Sequence, residues 1–170
     1  MIETENLRLI PCDLAHFEAI LQDPSRLERM LGISIADGWI EFPEAMSYGY
    51  EYLKTHTEAR GWWTYLFIHK ADRALIGTGG YKGPANDAGM VEIGYSISPQ
   101  YRNQGMATEA ARGLAVHAFS HPHIKLVEAH TLAQVNPSTR VLEKIGMTRT
   151  GTIQDPDDGE LWHWRLRRED

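Results

Sequence analysis

Val91-Glu92-Ile93-Gly94-Tyr95-Ser96-Ile97-Ser98-Pro99-Gln100-Tyr101-Arg102-Asn103-Gln104-Gly105-Met106-Ala107-Thr108 is the stretch whose reading decides the fold. Val91, Ile93, Tyr95 and Ile97 alternate with Glu92, Gly94, Ser96 and Ser98, which is the period of a strand. Pro99 ends the ladder because it has no amide hydrogen to donate. Arg102 to Ala107 then leads into Thr108-Glu109-Ala110-Ala111-Arg112-Gly113-Leu114-Ala115, a run of good helix formers. The free amides of a helix's first turn, together with the helix dipole, attract anions. Gly105 and Ala107 leave room for a phosphate at the backbone, and Arg102 adds a cation. The segment therefore reads as a pyrophosphate cradle in which the amides of Gln104, Gly105, Met106, Ala107 and Thr108 face the ligand, with Arg102 and Asn103 at its edge. An ordinary strand-to-helix turn is the plainer alternative.

Working outward, residues 7–10 alternate weakly as a first strand stopped by Pro11. Asp13 is placed to cap a helix carrying Leu14, Phe17, Ile20 and Leu21. Residues 24–42 show no clear period. Pro43-Glu44 opens a helix expected to run to Ala59. Aromatic and β-branched residues over 62–69 predict a strand, followed by a polar turn and a strand over 74–81. The stretch 83–87 is loop material. After the strand at 90–98 and the helix at 105–119 come a strand at 126–132, a helix at 138–145, and strands at 147–153 and 160–166. No repeat, linker or low-complexity tract interrupts the chain. This order predicts a mixed α/β layer architecture with antiparallel hairpins first and a β-α-β crossover after them.

A chain of 170 residues, 42% hydrophobic, has the size of one domain, 1–170, with one core. No run approaches the roughly 20 apolar residues of a membrane span. Residues 1–6 lack the basic and apolar regions of a secretory signal. Cys12 is the single cysteine, so neither a disulfide framework nor a cysteine metal cluster is expected. A cytoplasmic location is the resulting expectation. A net charge of −6 argues against nonspecific nucleic-acid binding and suits a cationic or amine-bearing partner.

The spacing Arg102-x-x-Gly105-x-Ala107 after such a strand resembles the acetyl-coenzyme A signature of the GNAT superfamily of N-acetyltransferases. Downstream, Asn136-Pro137-Ser138-Thr139-Arg140-Val141-Leu142-Glu143-Lys144-Ile145-Gly146-Met147 is similar to a helix of the branch that acetylates ribosomal-protein N-termini. Glu92-Ile93-Gly94-Tyr95 is also typical of that branch. The resemblance runs from Gly77 to Gly146. It implies a GNAT-like fold: a mostly antiparallel central sheet flanked by helices, with one parallel strand pair splayed at the coenzyme site. It also implies acetyl-coenzyme A as cosubstrate and a primary amine as acceptor, with a protein N-terminal α-amine first. A small amine (polyamine, amino acid or antibiotic) is the alternative within the same chemistry. A coenzyme-binding regulatory module without turnover is the alternative outside it. Monomer and homodimer both remain open.

Resemblance also assigns roles. The main chains of Ser96 and Ile97 would pair with the pantetheine arm. Glu92 would assist deprotonation, as related enzymes use a carboxylate on this strand, often through water; an edge carboxylate on a solvated face is the plainer reading. Glu160, at the start of the last strand, is the second candidate, for which a turn carboxylate following Asp157-Asp158-Gly159 is the preferred reading. Many relatives place a tyrosine acid where this chain has Leu142. The branch instead suggests a serine, matched by Ser138, to protonate the leaving thiolate; Ser138 would serve equally as a helix N-cap. Asn136 and Thr139 are expected beside the coenzyme. Help from a base matters less for an α-amine, with a pKa of about 8, than for lysine at about 10.4.

The absence of a Gly-x-Ser-x-Gly elbow favours direct attack over an acyl-enzyme, and Cys12 lies far from the motif. His117, His121 and His123 are expected to form a helix-end cluster, with no metal. Trp162-His163-Trp164 reads as alternating core and face. Core positions are expected for most of Trp39, Tyr48, Tyr52, Trp62 and Trp63. Gly77-Thr78-Gly79-Gly80 fits a strand that backbone or ligand approaches closely.

Overall fold

The short alternating runs assemble into one nine-stranded sheet. In the computed structural model, which describes residues 1–169, the chain begins with β1 (Ile2–Glu3), β2 (Leu7–Pro11), α1 (Leu14–Gln22), α2 (Pro24–Leu31), β3 (Ser34–Ile35) and α3 (Glu44–Thr55). It continues through β4 (Thr64–His69), β5 (Ala74–Tyr81), β6 (Met90–Ile97), α4 (Met106–Phe119), β7 (Leu126–Leu132), α5 (Pro137–Lys144), β8 (Thr148–Asp155) and β9 (Gly159–Arg167). The sheet order is β1-β2-β4-β5-β6-β7-β9-β8, with β3 beside β5. Every pairing along the main path is antiparallel except β6 with β7. The short β3 adds a second parallel contact, to β5. Among the described residues, no helix is long and apolar enough to cross a membrane.

Alternation along the strands sends side chains to two cores on opposite faces. Tyr65, Phe67, Ile76, Val91, Ile93, Val127 and Trp164 pack with Ala110, Ala111 and Leu114 of α4 and Leu142 of α5. Leu66, Ile68 and Leu75 point the other way and pack with Phe17, Leu27, Met46 and Leu53 of α1, α2 and α3. Over β6, β7 and β9 this second face carries Glu92, Glu128, His130, His163 and Arg165 in place of core residues. The small residues of β5 let β6 come close: a Cβ on Gly79 would lie 2.3 Å from the Gly94 carbonyl oxygen. The expected close backbone approach at 77–80 is thus made by β6 at Gly77 and Gly79 and by the Trp63 carbonyl at Gly80.

Where the chain departs from expectation, the reasons are local. The helix over 43–59 ends at Thr55, and Thr57–Ala59 forms a separate 3-10 turn. The unassigned stretch 24–42 holds α2, whose start is marked by an Asp23 cap and Pro24 and whose end is marked by left-handed Gly32. The expected Asp13 cap is present as a reciprocal box with His16.

Candidate active site

The cradle begins with a turn that only certain residues make. Asn103 sits at φ +59° and Gly105 at φ +83°, the left-handed region that asparagine tolerates and glycine enters freely. Gly105 immediately precedes α4, and among the described residues no side chain caps that helix. The first-turn amides of Met106, Ala107 and Thr108 are therefore left for another acceptor. They open on a cavity of about 340 Å³ lined by Ile97, Arg102 and residues 105–108. Arg140 and Lys144 of α5 line its far side, cations that the motif reading had not included. A Cβ built on Gly105 meets nothing within 4 Å, so the space ahead of the turn is clear. Arg102 is fixed by its Nε donating to the Ile97 carbonyl at 3.0 Å. Gln104 is exposed, and its side chain donates to the Gln100 carbonyl. A second groove, of about 720 Å³, shares Gly105, Thr108 and Lys144 and continues along α4 past Arg112.

Beside this cradle the parallel strands part. β6 and β7 pair only at Met90–Leu126, Val91–Val127 and Glu92–Glu128, although β6 runs on to Ile97 and β7 to Leu132. Strand parity decides which main-chain groups face the gap. The Lys82 amide donates to the Glu92 carbonyl, and the Ser98 amide donates to the Ile76 carbonyl, so even-numbered residues of β6 bond toward β5. Ile93, Tyr95 and Ile97 face the gap. Ser96 is corrected on this point: its main chain serves β5, whereas Tyr95 presents its main chain and Ile97 its amide to the opening, the Ile97 carbonyl being taken by Arg102. The Ser96 hydroxyl instead lies 3.3 Å from the Glu41 carboxylate.

At the closed end of the gap stands Glu92. His130 Nδ1 lies 2.9 Å from its Oε1, and the Lys82 ammonium pairs with the same oxygen. Burial pushes the Glu92 carboxyl up, but the hydrogen bonds from Lys82 and His130 outweigh it, and the group ends below the ordinary carboxylate range. His130 stacks on His163 with ring centroids 4.7 Å apart and planes within 6°. His163 in turn lies beside Glu128, which accepts from Arg165 Nε at 2.7 Å. Glu92 is thus part of a charged, half-buried network, and His130 is a functional candidate that the sequence reading missed. A lone histidine on a strand carries no signal until the fold brings Glu92 to it.

α5 gives Ser138 and its neighbours distinct jobs. The N-cap is Asn136, which exchanges hydrogen bonds with Thr139, so Ser138 is not the cap. Thr139 is buried, and its hydroxyl also donates to the Asn136 carbonyl. Neither Asn136 nor Thr139 lines the cavity of the cradle. Among the described residues the Ser138 hydroxyl has no hydrogen-bond partner, while its carbonyl accepts from the Tyr95 hydroxyl at 3.2 Å. That bond ties Ser138 to the gap-facing strand. Leu142 is fully buried in the core.

The remaining candidates fall away from the gap. Glu160 is exposed at the β8–β9 turn, bonded at most to Gln154. Cys12 is buried, and desolvation drives its thiol far above the ordinary range, which suits no nucleophile. His117 and His121 pack around Trp62 at the end of α4, and among the described residues no three potential ligands converge on a metal position. Trp164 is core, its indole donating to Thr131. Trp39, Tyr52, Trp62 and Trp63 pack on the two cores, whereas Tyr48 is exposed.

Comparison with known proteins agrees with this architecture. Residues 6–148 match the family model of the acetyltransferase (GNAT) domain. An uncharacterized N-acetyltransferase, YjdG of Bacillus subtilis strain 168, is 26% identical over 96% of this chain and 96% of its own. Among solved structures, RimL, a ribosomal L7/L12 alpha-N-protein acetyltransferase in complex with coenzyme A, superposes with a TM-score of 0.70 at 15% identity, covering 96% of this chain and 95% of that one. A spermidine N-acetyltransferase SpeG chimera from Vibrio cholerae and hSSAT gives 0.69 at 12% identity, covering 96% of each chain.

Proposed function

The chain belongs to the GNAT acetyltransferase family, and we propose that it transfers the acetyl group of acetyl-coenzyme A by direct attack to an α-amine at a protein N-terminus. One observation carries the reading: a gap between β6 and β7 that leads from the uncapped start of α4 to the Glu92–His130 pair. The diphosphate rests on the amides at 105–108, flanked by Arg102, with Arg140 and Lys144 across the cavity. The pantetheine arm runs along Tyr95 and Ile97 as a strand-like partner. A free main-chain amide of β6 polarises the thioester carbonyl. The Glu92–His130 pair draws the proton from the amine, and the Ser138 hydroxyl protonates the departing sulfur.

Acceptor chemistry follows from how much help deprotonation needs. An α-amine of pKa about 8 loses its proton near neutral pH with modest help, whereas a lysine near 10.4 needs a strong base. The likeness of the 136–147 segment to the ribosomal-protein branch supports the same choice. A small polycation is the second reading, favoured by Glu41 beside Ser96 on the strand face that also carries Glu92. Those positions are four residues apart, or about 13 Å along the strand.

The deciding experiment offers acetyl-coenzyme A with three acceptors: lysine-free peptides with free Ser or Ala N-termini, Nα-blocked peptides carrying lysine, and spermidine. Thiol release and product mass are followed. Acetylation of the free N-termini supports the proposal, and acetylation of spermidine alone transfers it to the second reading. Saturable coenzyme binding without turnover on any amine would leave a regulatory module.

A further inference from the structure

Glu92 does not stand alone at the end of the gap, and its partner has the stronger claim on the proton. An ionised carboxylate only accepts hydrogen bonds. With the Glu92 carboxyl held below its ordinary range, the contact at 2.9 Å requires the His130 proton to sit on Nδ1. Nε2 then carries a lone pair. Among the described residues that nitrogen has no hydrogen-bond partner, and the side chain retains 18% exposure.

The surroundings fix the ring. Lys82 pins the Glu92 carboxylate from one side, and the parallel His163 ring fixes the plane of His130 from the other. His130 lies on β7 two residues beyond Glu128, the last residue paired to β6, so it stands where the strands separate. Two further residues of pairing would bring Gly94 of β6 level with it, and a Cβ built on Gly94 meets nothing within 4 Å. A small group can enter there. Glu128, Arg165 and Asp155 complete the charged surroundings of the imidazoles.

We propose that His130 is the catalytic base: its Nε2 takes the proton of the attacking amine, while Glu92 is the positioning residue that orients the imidazole. The inference rests on the acetyl-transfer reading. One ammonium proton passes to Nε2 and then to solvent. The neutral nitrogen forms its bond to the thioester carbon, the carbon–sulfur bond breaks, and the electron pair leaves with sulfur. The second proton lost from nitrogen is balanced by the one that ends on the thiolate.

Two measurements test this. Long-range proton–nitrogen NMR on protein labelled at its histidine nitrogens reads the His130 tautomer directly. The Nδ1–H form is expected, shifting toward Nε2–H in Glu92→Gln; an Nε2–H form in the unmodified protein would overturn the proposal. Kinetics come second, with the amine identified by the acceptor panel. His130→Gln and His130→Ala should lower kcat about 100-fold or more, leave the acetyl-coenzyme A Kd within twofold, and abolish the acid limb of kcat/KM against pH. Added imidazole should restore part of the rate to His130→Ala. A merely structural role would change the melting temperature and Kd and leave the limb in place. No turnover in the unmodified protein overturns this proposal and the acetyl-transfer reading together. Turnover that keeps its acid limb in both variants overturns this proposal alone.

Discussion

Replacing Gly105 separates what the cradle needs for folding from what it needs for binding. The residue sits at φ +83°, ψ −1°, and an added Cβ touches nothing. Gly105→Gln therefore meets only the left-handed backbone penalty, about 1–2 kcal/mol of stability. Gly105→Glu carries the same penalty, but its carboxylate at a helix start recovers about 0.3–1 kcal/mol from the dipole. Glu should thus be the more stable variant. Binding should order them the other way. A carboxylate about 6 Å from a phosphate charge repels it by ~0.7 kcal/mol at the dielectric of water and ~3 kcal/mol at the value near a protein surface. The loss in acetyl-coenzyme A affinity relative to Gln is then about 3- to 150-fold, shrinking at high salt. Calorimetric titration at two ionic strengths, with melting curves on the same samples, reads both effects. Equal affinities for Gln and Glu would refute the placement of the diphosphate at this turn.

Four further substitutions probe the scaffold and the Ser138 role. Gly79→Ala puts a methyl 2.3 Å from the Gly94 carbonyl and 2.6 Å from the Phe67 ring; urea unfolding should show a loss of about 3 kcal/mol or more, because backbone cannot yield cheaply. Glu109 accepts from Thr4, Asn6 and the Leu7 amide, and although burial raises its carboxyl, these bonds hold it low. A depressed folded pKa gives stability that is complete above the unfolded value of about 4.3 and disappears as pH falls through the folded value. Glu109→Gln should therefore cost about 1–3 kcal/mol at pH 7 and progressively less below about pH 4. Ser138→Ala should leave stability within about 0.5 kcal/mol and lower turnover, whereas Asn136→Ala should cost about 1 kcal/mol through loss of the cap. Melting curves and turnover per folded molecule distinguish the two.

The elements nearest the cradle were legible because their signals are local. Alternation over 91–97, the proline at 99 and the glycine at 105 each act within a few residues, and β6, the turn and α4 follow them. α2 was missed because its apolar positions are sparse, although Asp23, Pro24 and Gly32 mark both of its ends. Ser138 reads equally as a cap because serine commonly takes that place, but the Asn136–Thr139 exchange puts the cap two residues earlier. Ser96 shows how a parity of one residue decides which main chain is free. His130 was not legible at all: its partner Glu92 is 38 residues away, and only the parallel pairing of β6 with β7 brings them together. Arg140 and Lys144 likewise acquire meaning only when α5 packs across the cavity from α4.

Titrating the purified protein with acetyl-coenzyme A, against coenzyme A and ATP, tests the central claim most directly. Saturable binding of the acetyl form, with ATP much weaker and the Gly105→Glu variant impaired, is the result the account predicts. No binding of acetyl-coenzyme A by the folded protein would make the turn at 102–108 a purely structural feature and contradict the account at its base.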